Sequence, residues 1–137
     1  MPARLLVAAR LVARCALAGL LLAGPVQAAD PAGEGLFVAN CSACHQRNGQ
    51  GIPQAFPALA GDALVQDDPR RITAVLLNGR GGMPAFKSQL ADEQIAAVAS
   101  YVRGAWGNHA DPVPASLVAA ARTEAAASAA DRTLQAH

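Results

Sequence analysis

The pentapeptide Cys41-Ser42-Ala43-Cys44-His45 constrains this chain more than any other feature. Three cysteines occur in 137 residues, and two of them stand three apart with an imidazole directly behind. On a helix, positions i and i+3 share a face. Any fold must therefore bring two sulfurs and a neighbouring ring nitrogen towards a common partner. Little else is available to organise a core. The sequence is 53% hydrophobic, but much of that is alanine and only 4% is aromatic. A small domain this poor in large apolar side chains gains from a staple.

The remaining cysteine, Cys15, lies in a leader. Arg4, Arg10 and Arg14 precede and interrupt the apolar run "CALAGLLLAG", which ends in "GPVQAAD". A basic start, a short apolar stretch and small residues at Val26 and Ala28 describe a secretory signal peptide over residues 1–28. The rival reading is a retained membrane anchor, although arginines and Gly24-Pro25 break the ~20-residue apolar span that an anchor needs. An exported chain meets an oxidising compartment, where two free thiols would be oxidised, metallated or otherwise consumed. Losing Arg4, Arg10 and Arg14 leaves eight basic against ten acidic residues, a formal charge of −2. One lysine remains, Lys87. That balance argues against nucleic acid, which calls for a basic stripe, and against electrostatic docking on anionic lipid.

The rest reads as short helices joined by turn-rich connectors. Asp30 and Pro31 form a helix start, with Phe37, Cys41 and Cys44 on one face. Residues 46–68 are punctuated by Gly49, Gly51, Pro53, Pro57 and Gly61 and read as loop, with a short turn near "DALV". Asp68 and Pro69 open a second helix with Ile72, Val75 and Leu76 on its apolar stripe and Gly79 as its stop. "GRGGMPAF" is an irregular loop around Met83. "ADEQIAAVASYVRGAW" is the last strong helix, with Asp92 as its expected cap and Ile95, Val98, Tyr101 and Val102 on its buried side. No segment alternates with the period of a strand, so the fold class is all-α. Three units follow: the leader (1–28), a helical domain (29–107), and an Ala-rich extension (108–137) expected to form a short helix and then fray from about Thr123.

Three chemistries use a Cys-x-x-Cys pair. A structural zinc site needs four ligands, but downstream only His109 and His137 remain, widely separated. A redox dithiol opens a helix after a strand, and here no strand precedes. The third is covalent haem attachment, which Cys-x-x-Cys-His signals directly. It uses both sulfurs as thioethers and His45 as an iron ligand. Met83 is the only methionine after the leader, and it sits in a Gly- and Pro-flanked loop able to carry a thioether to the iron's other side. His109 is its rival, and simple gap-filling is the bland alternative for Met83.

These residues resemble class I cytochrome c. "GEGLFVANCSACH" is similar to that family's N-terminal helix, "FPALAG" to its proximal loop, "GGMPAF" to its methionine loop and "LADEQIAAVASYVRGAW" to its C-terminal helix. The resemblance covers about residues 30–106. It implies a small cytochrome c fold, three to four short helices with long loops wrapped around one covalent haem c. Cys41 and Cys44 would carry the haem, His45 and Met83 would ligate iron, and the Pro57 carbonyl would hold the proximal imidazole. It also implies that Val98 and Tyr101 cross the first helix at Gly33 and Phe37. Ala91 departs from the Ser or Thr cap common in relatives.

The implied function is single-electron transfer in the periplasm, as a mobile carrier or as the cytochrome subunit of a dehydrogenase or other oxidoreductase. The closing "YVRGAWGN…PASLVAAAR" is similar to cytochrome subunits of such complexes. The partners would be redox proteins (a dehydrogenase, terminal oxidase or reductase) docking around Ser42, Ala43, Gln46, Ala85, Phe86 and Lys87. Arg80 and Lys87 would give that face local positive charge. A haem enzyme or gas sensor with a labile Met83, and a non-haem Cys-x-x-Cys metal or redox module, are the alternatives.

Overall fold

A computed structural model describes residues 31–135. The leader and the Asp30 cap lie outside the described residues. Six helical segments follow one another: α1 (Pro31–Asn40), α2 (Ser42–His45), α3 (Ala63–Gln66), α4 (Pro69–Asn78), α5 (Asp92–Gly104) and α6 (Ala115–Gln135). Among the described residues the only β pairings are isolated bridges, Ile52 with Phe56 and Arg80 with Met83. The fold is all-α.

Two helices set the frame. α1 crosses α5 at Gly33, where a Cβ would stand 2.9 Å from Tyr101 Cβ and closer still to the Ala97 carbonyl oxygen. Gly33 is therefore required by close approach, and its helix-propensity cost of about 1 kcal/mol permits that approach. Ala97 and Tyr101 form this crossing, whereas Val98 faces the interior cavity. Phe37, fully buried, stacks at tilted angles on Tyr101 and Trp106, with ring centroids 5.6 and 4.9 Å away. Tyr101 and Trp106 meet edge-on at 5.5 Å, so three of the few aromatic rings close one end of the core.

Local chemistry explains the helix ends. Asp68 accepts from Arg70 N at 2.8 Å with Pro69 at the first turn, and Gly79 closes α4 at φ +74°. Asp62 caps α3 by accepting from Val65 N at 3.0 Å. The start of α5 differs from expectation. Ala91 is the N-cap and has no side-chain acceptor, while Gln94 Oε1 accepts from Ala91 N at 2.9 Å. The Asp92 carboxylate does not cap the helix; it accepts from Arg122 Nε at 2.7 Å.

The expected boundary at 107/108 does not separate a core from an appendage. Val113 and Val118 are buried in the same core as Phe37 and Ile95. Ser100 Oγ pairs with the Val113 backbone at 2.9 and 3.3 Å. The extension is also more helical than its weak pattern implied. α6 continues past Thr123 to Gln135 because no Gly or Pro interrupts an alanine-rich run of strong helix formers. Its N-terminal half packs on α4 and α5. Among the described residues no helix is long and apolar enough to cross a membrane.

Candidate functional site

α1 ends at Asn40, and Cys41 leaves helical geometry at φ −122° before α2 resumes. The expected continuous helix through Cys44 is thus kinked at the first cysteine. His45 N still bonds Cys41 O at 2.9 Å, so the pentapeptide forms one tight turn with both sulfurs and the ring within it. His45 is buried, and its Nδ1 lies 2.9 Å from Pro57 O. A carbonyl oxygen only accepts, so Nδ1 carries the proton and Nε2 keeps the lone pair available to a metal.

The loop that delivers Pro57 is pinned to the pentapeptide's exit. Gly51 N donates to His45 O at 3.0 Å, and Leu59 N and Ala60 N donate to Gly49 O at 2.7 and 3.0 Å. Gly51 has φ +65°, and a Cβ there would fall 2.5 Å from Pro57 O. Glycine lets the chain turn tightly enough to present that carbonyl.

Across the interior, Gly79 N bonds Val75 O, and Arg80 and Met83 exchange backbone bonds at 3.2 and 3.0 Å. This tight loop sets Met83 against the core. Cys41, Cys44, His45, Pro57 and Met83 all line one cavity of about 520 Å³, within the size range of cofactor pockets. The remaining wall is mostly aliphatic and aromatic, from Phe37, Leu59, Ile72, Leu76, Val98 and Val102. His109, the rival ligand, is exposed and does not line the cavity.

This donor set suits a haem better than the alternatives. Two thiols, one imidazole with a free lone pair and one thioether border an apolar space, as a porphyrin plane requires. Among the described residues no group of three or more His, Cys, Asp or Glu side chains could hold a metal ion on protein ligands alone. Burial, and secondarily neighbouring Cys44, pushes the Cys41 thiol up to about 11. A redox dithiol needs the opposite shift.

Several residues that hold the site escaped the sequence reading. Asn108, fully buried, donates from Nδ2 to Leu59 O at 3.0 Å and Val102 O at 2.8 Å, and its Oδ1 accepts from Gly61 N at 2.8 Å. Arg103, 3% exposed, gives its guanidinium to the carbonyls of Val65, Asp67 and Asp111 at 2.6 to 2.8 Å. Both sit just beyond cavity-lining Val102. The one sequence signal was a polar residue immediately after Gly107, which has φ +86°. The docking face also needs revision: Phe86 is 5% exposed and belongs to the core, whereas Ala43, Gln46 and Lys87 are exposed.

An all-helical shell closed on such a cavity is the build of a haem-carrying electron-transfer protein. Over residues 28–102 the sequence matches the family model described as "Cytochrome C oxidase, cbb3-type, subunit III", and the chain belongs to the class I c-type cytochromes. It is 39% identical to cytochrome c-552 of Thermus thermophilus over 107 residues, 67% of this chain and 72% of that one. It is 35% identical to the cytochrome c subunit of a quinone alcohol dehydrogenase from Gluconobacter oxydans, covering 58% of this chain but only 19% of that subunit. A solved structure of cytochrome c6 from the diatom Phaeodactylum tricornutum is 39% identical, covering 55% of this chain and 91% of that one, with a TM-score of 0.48. Like that family, the protein is an electron-transfer protein that carries one covalent haem c and passes single electrons.

Proposed function

We propose that Cys41 and Cys44 bind the haem through thioethers, that His45 Nε2 and Met83 Sδ are the axial iron ligands, and that the chain works in the periplasm as a self-contained electron carrier. The observation that carries this reading is the convergence of all four side chains on one apolar cavity, with His45 Nδ1 tied to Pro57 O. Bound haem supplies a one-electron couple. His45 is held in one tautomer and orientation by the Pro57 carbonyl. Met83 would supply the second protein ligand, a weak donor that favours the reduced metal and would raise the potential relative to two nitrogen ligands. With both positions filled by protein, no site is left for substrate, and the aliphatic wall excludes water.

The self-contained reading is supported by α6, which packs against its own domain. A second reading, the cytochrome subunit of a dehydrogenase, rests on the similarity to the quinone alcohol dehydrogenase subunit. Export by cleavage after Ala28 underlies the periplasmic assignment. Size exclusion of native extract separates the two readings, because a carrier migrates alone and a subunit with its enzyme.

The ligand assignment is tested by Met83→His in the matured protein. The variant is expected to lose the thioether-to-ferric-iron charge-transfer band and to titrate at a lower potential. An unchanged spectrum and potential would remove Met83 from the metal. Pigment that acid–acetone strips from the wild type would remove Cys41 and Cys44 as anchors.

A further inference from the structure

We propose that Arg122, on the C-terminal helix, is a positioning residue for the Met83 loop and sets how readily the sixth ligand leaves the iron. This rests on the reading of Met83 as a ligand. The loop runs from Gly79 to the start of α5 at Asp92. Its near arm packs on Gly79, where a Cβ would fall 2.5 Å from Met83 O, but Gly81 and Gly82 have open space about them and the Arg80–Met83 pair is local. Further restraint comes from the far arm. Phe86 N donates to Leu76 O at 2.9 Å, and its ring is buried. Gln89 N and Leu90 N both turn back to Phe86 O at 3.0 Å.

Arg122 closes that arm from outside. Its Nη1 donates to Lys87 O at 2.5 Å, its Nη2 to Leu90 O at 3.1 Å and its Nε to Asp92 Oδ1 at 2.7 Å. One rigid guanidinium fork thereby spans the whole turn between Phe86 and α5. Arg122 is itself fixed, since Val118, four residues earlier on the same helix face, is fully buried. Arg122 and Asp92 are only 32% and 26% exposed, so water competes poorly for these bonds. Met83 lies three residues before Phe86, so swinging it off the iron requires the segment that Arg122 clamps to move as well. The C-terminal segment therefore acts on the metal without touching the cavity.

An added ligand reads this directly. Imidazole binds ferric iron only in the fraction of molecules with Met83 detached, and its apparent affinity scales with that fraction. In the matured full-length protein, Arg122→Ala is expected to tighten imidazole binding about tenfold, which corresponds to 1.4 kcal/mol. Arg122→Lys, which keeps the charge but not the fork, is expected to fall between the two. In a Met83→Ala background there is nothing to detach, so Arg122→Ala should leave imidazole affinity unchanged. Equal imidazole affinity for wild type and Arg122→Ala, even with a lowered melting temperature, would show a merely structural arginine and overturn the proposal. A tenfold effect that persists in the Met83→Ala background would overturn it too. Met83→Ala binding imidazole no more tightly than wild type would instead defeat the ligand reading, and this proposal with it.

Discussion

The indole of Trp106 fills the space that a side chain on Gly49 would occupy. A Cβ built at Gly49 falls 2.6 Å from Trp106 Cδ2 and nearer to the six-membered ring, and the glycine sits at φ +69°. Trp106 Nε1 donates to Arg47 O at 3.1 Å, so the ring covers the exit of the cysteine–histidine turn. The loop that carries the Pro57 carbonyl is thus shaped by a residue just past the end of α5, 57 positions later in the chain.

Gly49→Ala should therefore be severe. Left-handed strain of about 1–3 kcal/mol adds to overpacking of about 1–3 kcal/mol. Denaturant titration of the holoprotein should show a loss of about 2–6 kcal/mol. A loss below about 1 kcal/mol would mean that the indole moves aside freely.

Asn108→Ala leaves the Gly61 N–H and the Val102 carbonyl without the partners they have now, while the Leu59 carbonyl keeps its bond from Asp62 N at 3.3 Å. Each buried group left unsatisfied costs about 1–3 kcal/mol, so a loss of about 2 kcal/mol or more is expected in the same titration. Asn108→Asp should be no milder at neutral pH, because it aims a carboxylate at two carbonyl oxygens. The check is whether either variant unfolds within the denaturant range of wild type.

Burial, and secondarily the Glu34 carboxylate, holds the Tyr101 phenol above its ordinary value. A raised folded pKa means that this contribution to stability is fully present below the unfolded value of about 10. It is lost as pH rises through the folded value. Stability should accordingly decline on the alkaline side of about pH 10, and Tyr101→Phe should flatten that limb. Melting temperatures measured across the alkaline range test this, and an identical decline in the phenylalanine variant would exclude Tyr101 as its source.

Arg80 and Lys87 are exposed beside the Met83 loop, and among the described residues neither side chain forms an ion pair. Arg70 and Arg71, by contrast, pair with Asp68 and Asp67. If partners dock beside this loop, Lys87→Glu should slow electron transfer to an acidic partner and weaken its dependence on ionic strength. Stopped-flow rates over a salt series provide the measurement. An unchanged rate and salt slope would place docking elsewhere.

Much was legible in the sequence because it depends on neighbours along the chain. The cysteine–histidine turn, the Asp68-Pro69 start, the Gly79 stop and the glycine-rich Met83 loop are local signals, and each produced its structure. Phe37 was readable from its helical spacing to the two cysteines, and its crossing, with Gly33, against the last helix was readable at one remove, through the resemblance. Other features were not. Asp92 looked like a helix cap from its position, but a guanidinium thirty residues away takes its carboxylate. Phe86 looked available to a partner, and the fold turns its ring inward.

The sequence alone determined the chemistry of the site, since two sulfurs, an imidazole and a distant thioether are fixed by residue type and order. Only the tertiary structure decided what holds those groups in place. Asn108, Arg103, Trp106 and Arg122 act on backbone groups far from them in the chain, and a backbone carbonyl carries no signature in the sequence. Which carbonyl a polar side chain meets depends on where the helices bring it. The extension beyond Gly107 therefore read as an appendage, yet it supplies core residues and the outer clamp of the Met83 loop.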